Sequence, residues 1–125
     1  MIYLVDILKK IYPRLTWIRK VQEKVVYLTF DDGPIPEVTP WVLDLLKAQK
    51  IQATFFCIGD NIRKHPEVFQ RIVADGHAIG NHTFNHLNGW KHTTDEYLEN
   101  LITCENYITA YCTGTPKLFR PLMEK

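Results

Sequence analysis

Residues 25–34 read VVYLTFDDGP, and the class of fold follows from them. The run from Val25 to Phe30 is rich in β-branched and aromatic residues and lacks polar alternation, which predicts a strand covered on both faces. Asp31-Asp32-Gly33-Pro34 then predicts a sharp turn. A covered strand that ends in polar side chains is typical of parallel α/β folds, because functional groups gather where such strands end.

The same alternation of apolar runs and helical patterns continues along the chain. Ala53 to Ile58 predicts a second buried strand, which Gly59-Asp60-Asn61 ends. His77 to Gly80 predicts a short third strand, and Leu118 to Arg120 predicts the start of a fourth. Strands that alternate with helices predict one parallel α/β domain of about four βα units with right-handed crossovers.

Three helical patterns separate these strands. Thr39 is the N-cap candidate of the first, which ends at Gln49 or Lys50 and has an apolar face of Trp41, Val42, Leu45 and Leu46. The second begins at His65-Pro66, stops at Gly76 and turns Val68, Phe69, Ile72 and Val73 to the core. The third begins at a capping box of Thr93 and Glu96 and runs to about Ala110.

Composition and length narrow the possible functions. The 125 residues are 46% hydrophobic and 23% charged, which excludes disorder and coiled coil. A formal charge of +1 predicts no nucleic-acid partner. A complete (β/α)₈ barrel needs about 250 residues, so the chain is too short to form one alone.

Three cysteines, an odd number without a C-x-x-C pair, predict buried reduced thiols rather than a cysteine metal site. Cys57 lies in an apolar run and is expected to pack as a small hydrophobe. A disulfide between Cys104 and Cys112 is the alternative.

The N-terminal segment, residues 1–22, is predicted to form an amphipathic helix packed on the domain that residues 23–125 form. Its apolar positions recur at helical spacing: Leu4, Leu8, Ile11 and Leu15. Attachment to a membrane surface is the alternative, favoured by the basic residues Lys9, Lys10, Arg14, Arg19 and Lys20. The segment lacks the order of a signal peptide, so the expected location is the cytoplasm or the inner membrane surface.

Polar clusters follow three of the predicted strands: Asp31 and Asp32, His82 and His86, and Arg120. Two histidines four residues apart can chelate one ion on a helical turn, and a carboxylate from Asp32 would leave a coordination position open, as in catalytic zinc sites. Asp31 would then act as a base on water, and Arg120 would pair with it. Taken singly, these features are more typical of a turn, exposed histidines and a surface charge, and only their placement at three strand ends favours a site.

Thr29-Phe30-Asp31-Asp32-Gly33-Pro34 and His82-Thr83-Phe84-Asn85-His86 resemble the first two motifs of the polysaccharide deacetylases, carbohydrate esterase family 4. The resemblance covers Val25 to Pro121 and includes residues 55–59 and 80–82. It implies part of a distorted (β/α) barrel and the metal-dependent hydrolysis of N-acetyl groups on an amino-sugar glycan, with zinc as the expected metal.

The same resemblance implies roles for single residues. Asp31 matches the general base, and Asp32, His82 and His86 match the metal ligands. Thr83 matches a support of the metal-bearing loop, and Gly33 and Pro34 match the turn that shapes the pocket. Trp90 lies outside the motifs, and we expect it either to line a sugar platform or to cover the loop.

The chain departs from the family after Phe119-Arg120-Pro121, where the third motif begins but continues with Leu122. The later motifs, with their general-acid histidine, have no counterpart, so we expect a domain truncated at the C-terminus and impaired in catalysis. The alternative is a non-catalytic homologue that keeps a metal or carbohydrate site. An exposed barrel edge also predicts a homodimer.

Overall fold

The computed structural model describes residues 4–114 and 117–123. Its centre is one parallel sheet in the order β1-β2-β3-β4. The strands are β1 (Thr29–Asp31), β2 (Thr54–Cys57), β3 (Ala78–Asn81) and β4 (Leu118–Phe119). The helices are α1 (Leu4–Ile11), α2 (Val38–Ala48), α3 (Gly59–Lys64), α4 (Pro66–Ala74) and α5 (Thr94–Thr109), with a 3₁₀ turn at Gly89–Lys91. The predicted α/β class with four parallel strands is confirmed.

The strand register brings the predicted polar clusters to one edge of the sheet. Asp31 pairs with Phe56 in β2, and Asn81 pairs with both Cys57 and Phe119. Asp31 therefore ends β1, and His82 and Arg120 come one residue after the ends of β3 and β4. These three positions lie side by side because all four strands point the same way.

The first strand is shorter and more exposed than the sequence predicts. β1 covers Thr29–Asp31 instead of residues 25–30, and Val26 is 81% exposed. Its one neighbour among the described strands is β2, so the apolar residues before Thr29 have no second strand beside them. The apolar run of residues 25–30 is therefore typical of an interior strand, whereas β1 is an edge strand of the described sheet.

Helix α2 differs from its prediction in both start and buried face. It begins at Val38 after the N-cap Glu37, and the hydroxyl of Thr39 accepts a hydrogen bond from the Ile35 backbone N–H at 2.8 Å instead of capping the helix. Its buried residues are Thr39, Leu43 and Leu46. Trp41 is 65% exposed because it lies about 200° around the helix from Leu43, and Leu45 is exposed for the same reason.

The other two predicted helices are confirmed. Helix α4 has Pro66 in its first turn, buries Val68, Phe69 and Ile72, and is followed by Gly76 at a φ of 82°. The capping box of α5 is present, and the bonds that Glu96 accepts from the Thr93 backbone N–H and hydroxyl lower the pKa of that carboxyl.

Helix α3 is not predicted from the sequence, because Gly59-Asp60-Asn61 has the pattern of a strand end and Gly59 is instead the first residue of a helix. The buried face of this short helix includes Gly59 and Ile62. Ile62 is fully buried in the same core cluster as Leu43, Phe55 and Phe69.

All three cysteines are buried and outside any disulfide, so the Cys104–Cys112 disulfide is not formed. Burial raises the pKa of the Cys57 thiol and raises that of Cys104 to about 12. Both thiols are therefore protonated near neutral pH, as expected for cysteines that pack in a core.

The N-terminal helix α1 covers Leu4–Ile11 and ends before Leu15, the last apolar position of the predicted pattern, and Leu4 and Ile11 are exposed. None of its residues is buried, so the packing of residues 1–22 on the domain stays a prediction. Residues 1–3 of that segment, and Glu124 and Lys125 of the C-terminal tail, lie outside the described residues. Among the described helices, none has the length and apolar character needed to cross a membrane.

His77 lies at the other edge of the sheet and gives the fold a pH dependence. Its Nδ1 accepts a hydrogen bond from the Ala53 backbone N–H at 3.1 Å, and burial lowers its pKa while Asp75 offsets part of that effect. The unfolded chain therefore binds this proton more readily, and the free energy of unfolding should fall as pH drops below about 6.5.

The measurement is urea unfolding between about pH 7.5 and about pH 5.5 for the wild type and His77→Gln, whose amide oxygen can replace the acceptor. We expect the wild type to lose more stability than the variant over this range. The other titratable groups are common to both proteins and affect both free energies of unfolding equally. An equal loss of stability in the wild type and His77→Gln between these pH values would therefore refute the prediction.

Candidate metal centre

Asp32, His82 and His86 converge at the C-terminal edge of the sheet. The Nε2 atoms of His82 and His86 lie 3.3 Å and 3.1 Å from Oδ1 of Asp32. All three potential ligand atoms lie within 4.8 Å of one another. The structure thus brings together the three residues that the sequence predicts as metal ligands.

His82 is oriented for ligation by the other nitrogen of its ring. Its Nδ1 lies 2.7 Å from the backbone oxygen of Arg120, and the ring is 3% exposed. A carbonyl only accepts hydrogen bonds, so Nδ1 donates to it and Nε2 is the ring nitrogen that faces the Asp32 carboxylate. A hydrogen bond from Nδ1 to a backbone carbonyl is the usual support of a metal-bound histidine.

The ligands lie on backbone that is costly to form. Asp32, Thr83 and His86 have φ values of 70°, 67° and 56°, in the left-handed region that non-glycine residues rarely occupy. Such conformations cost about 1–3 kcal/mol each and persist only where the surroundings enforce them. Three of the five described non-glycine residues with positive φ therefore belong to the candidate site, and the other two are Glu37 and Lys50.

Hydrogen bonds hold this strained backbone in place. The Asn61 side chain donates to the backbone oxygen of Asp32 at 2.7 Å. Asn81 accepts from the Thr83 N–H at 2.9 Å, and the Thr83 hydroxyl accepts from the Leu87 N–H at 2.8 Å. Thr83 thus ties together the loop that carries His82 and His86 through one backbone and one side-chain hydrogen bond.

Helix α5 carries a further support that the sequence analysis did not identify. The side-chain oxygen of Asn100 accepts from the backbone N–H groups of Phe84 and Asn85 at 2.8 Å and 3.1 Å, and its amide donates to the Asn85 side chain at 2.8 Å. An asparagine inside a helix, where its propensity is poor, is the one sequence signal that could have indicated Asn100.

Gly59 brings the start of α3 against the same loop. Its backbone N–H donates to the Thr83 oxygen at 3.0 Å, and the next N–H, of Asp60, donates to Phe84 at 2.9 Å. A Cβ at position 59 would lie 2.4 Å from the Phe84 ring and 3.0 Å from Cα of Cys104. Only glycine allows this approach.

Asp31 and Arg120 form the ion pair that the sequence predicts. Nη1 of Arg120 lies 2.8 Å from Oδ1 of Asp31 and 2.9 Å from the Thr29 hydroxyl, and its guanidinium lies 4.2 Å above the Phe56 ring. Three contacts therefore fix the guanidinium beside the Asp31 carboxylate. Since Asp31 directly precedes Asp32, a second carboxylate is held next to the candidate ligands.

The remaining predicted site residues differ in their placement. Pro34 is buried and joined to Gly33 by a cis peptide bond, and the Gly33 oxygen accepts from the Ile58 N–H at 2.9 Å, so both belong to the support of the Asp31-Asp32 turn. Trp90 lies apart from the ligand cluster on the 3₁₀ turn and is 89% exposed.

Fold and site together define a parallel α/β domain with a possible metal site of two histidines and one aspartate beside a second carboxylate. Residues 18–123 match the family described as polysaccharide deacetylase, and the chain belongs to that family. The resemblance stated from the motifs is thereby confirmed.

Relatives and solved structures agree with this assignment. The chain is 44% identical over 107 residues to a peptidoglycan-N-acetylglucosamine deacetylase of Bacillus cereus, covering 86% of this chain and 50% of the relative. It is 42% identical to a chitooligosaccharide deacetylase of Bradyrhizobium, covering 70% and 40% of the two chains. The structure of PdaA from Bacillus subtilis, a family 4 carbohydrate esterase, matches with a TM-score of 0.76 and 31% identity over 91% of this chain and 50% of that one. The chain thus spans about half the length, or less, of these relatives.

Proposed function

We propose that the chain binds a divalent metal, most simply zinc, and hydrolyses N-acetyl groups of an amino-sugar glycan. The observation that supports this most is the cluster of Asp32, His82 and His86 beside the Arg120-held carboxylate of Asp31. The names of the relatives favour an N-acetylated glucosamine polymer or oligomer as substrate.

The donor set fits zinc. Two neutral imidazole nitrogens and one carboxylate are ligands that zinc prefers, and three protein ligands leave a position open, as in catalytic zinc sites. Asp32, His82 and His86 would hold the ion, which when bound polarises a carbonyl and makes water more acidic.

Asp31 is the residue placed to move a proton. As a carboxylate it would accept the proton of the water that attacks the acetyl carbon, and the Arg120 guanidinium would hold it in place during that step. Cleavage of the amide bond releases acetate and needs a proton on the departing amine nitrogen.

The other histidines of the chain are poorly placed to supply that proton. His77 lies at the opposite edge of the sheet, His65 precedes α4, and Nδ1 of His92 lies 3.8 Å from Glu96. The proton on Asp31 would therefore have to return to the amine. We expect slow turnover for this reason, since a positioned acid contributes about 10² to 10⁴ in rate.

The test is acetate release from N-acetylglucosamine oligomers by the zinc-loaded chain. We expect slow release that stops when a chelator removes the metal and returns when zinc is added back. Zinc binding without detectable acetate would contradict the catalytic proposal and favour the non-catalytic alternative.

A further inference from the structure

Helix α1 separates its apolar side chains from its charged ones. Successive residues of an α-helix are about 100° apart around its axis, so the charged residues Asp6, Lys9 and Lys10 share one side of α1. The backbone N–H of Tyr12 donates to the Leu8 oxygen at 2.8 Å, which continues the helical bonding by one residue. The apolar and aromatic side chains share the other side, within an arc of about 160° that we call the apolar face of α1: Leu4, Val5, Ile7, Leu8, Ile11 and Tyr12.

The apolar face of α1 is exposed. None of the helix residues is buried, and the exposed fractions of Leu4 and Ile11 are 70% and 59%. An isolated helix shorter than about 12–15 residues is marginal in water, and α1 has 8 residues. A surface that covers the apolar face would therefore stabilise the helix.

Helix α1 lies before the part of the chain that matches the polysaccharide deacetylase family. The family match begins at residue 18, and α1 ends at Ile11. The match therefore gives no reason to expect that another part of a deacetylase domain covers the apolar face.

The charge of the N-terminal segment favours an anionic partner. Residues 1–20 hold five of the 15 basic residues and one of the 14 acidic residues, although the whole chain has a formal charge of only +1. The basic residues of the segment are Lys9, Lys10, Arg14, Arg19 and Lys20. Anionic lipid headgroups attract such a cluster, whereas the same segment of a second copy would repel it.

The residues after α1 carry aromatic side chains suited to the boundary between lipid and water. Nε1 of Trp17 donates to the Tyr12 backbone oxygen at 3.0 Å, which ties the residues after the helix to its end. Tyr12 is exposed, and Trp17 is half-buried. Tyrosine and tryptophan concentrate at membrane interfaces because their rings combine an apolar body with a polar group.

We propose that α1 binds a membrane surface that contains anionic lipid. The helix is about 12 Å long, too short to cross a hydrocarbon core of about 30 Å, so it lies in the plane of the interface. Its apolar face enters the boundary between headgroups and acyl chains, and Lys9 and Lys10, on either side of that face, reach the lipid phosphates. This attachment goes beyond the proposed function and does not depend on it.

The test is cosedimentation of the full chain with lipid vesicles at about 0.1 M salt. We expect binding to phosphatidylcholine vesicles that contain about one third phosphatidylglycerol, much weaker binding to phosphatidylcholine alone, and release at about 0.5 M salt. Lys10→Gln with Arg14→Gln should weaken binding to the anionic vesicles about tenfold to thirtyfold, because each basic residue near such a surface contributes about fivefold. Ile7→Gln with Ile11→Gln should weaken it at least about tenfold, because the apolar face is lost.

The matched control is Lys47→Gln with Lys91→Gln, which removes the same charge from exposed positions outside the segment. This control should bind the anionic vesicles as the wild type does. In urea unfolding without lipid, Ile7→Gln with Ile11→Gln should be as stable as the wild type, since no residue of α1 is buried.

Equal binding to the two kinds of vesicle, no binding by the wild type, or equal losses in the control and in Lys10→Gln with Arg14→Gln would each overturn the inference. So would a loss of stability in Ile7→Gln with Ile11→Gln, because α1 would then pack on the domain. Dissociation of a dimer by the same two substitutions, seen in sedimentation without lipid, would also overturn it, because a second copy would then cover the apolar face.

Discussion

Replacing His82 and His86 together by alanine should lower the zinc affinity of the chain by at least about a hundredfold. The two imidazoles supply both nitrogen donors of the candidate site, and their Nε2 atoms lie within 3.3 Å of the Asp32 carboxylate. Loss of a residue that merely orients a metal ligand costs about 10-fold to 100-fold in affinity, so loss of two ligands should cost at least as much. Competition with a chromophoric chelator measures the affinity directly.

The control variant is His92→Gln, which removes an imidazole outside the ligand cluster. It should bind zinc as the wild type does. Because His82→Ala also removes the bond to the Arg120 carbonyl, circular dichroism of the metal-free proteins must show that the double variant is folded. Wild-type affinity in a folded double variant would refute the metal assignment.

The convergence of the candidate metal ligands could be predicted from sequence because strand direction determines where they meet. Once residues 25–30, 53–58 and 77–80 are taken as parallel strands, the residues after them must lie at one edge. The helical turn predicted for His82 and His86 is wrong, because Thr83 and His86 have φ values of 67° and 56°, yet both Nε2 atoms still lie within 3.3 Å of Asp32. The pairing of Asp31 with Arg120 followed from the same logic, although the two are 89 residues apart. Errors in strand length did not matter here, because β1 still ends at Asp31.

The residues that support the site could not be predicted in this way. They act through close contacts between separate helices and loops, which the spacing of apolar residues along the sequence does not reveal. Asn100 acts through backbone groups 15 and 16 residues earlier, and Gly59 acts through the space that its missing side chain leaves. The prediction of the buried face of α2 is wrong for a similar reason, since it depends on packing between elements. Trp41, Leu45 and Leu43 are all apolar, and only the packed structure shows which of them the core receives.

Replacing Asp31 by asparagine should lower the rate of acetate release about 10² to 10⁴-fold and leave zinc affinity within a few-fold of the wild type. Asparagine keeps the size of the side chain and an oxygen that can accept from the Arg120 guanidinium, but it cannot take a proton from water. The rate is measured with saturating zinc, so that a difference in rate cannot arise from a difference in metal occupancy.

Asp32→Asn is the matched variant, since it makes the same chemical change one residue later. It removes the charged ligand and should therefore weaken zinc binding and acetate release together, whereas Asp31→Asn should separate them. The contrast tests whether Asp31 acts as the base while Asp32 acts as a metal ligand.

The structure gives the two carboxylates different surroundings. Asp32 is turned towards His82 and His86 by a backbone φ of 70°, and Asp31 ends its strand facing Arg120. Equal rates in the wild type and Asp31→Asn would refute the role of Asp31 as base, and parallel losses of zinc in both variants would show that the two carboxylates share the metal.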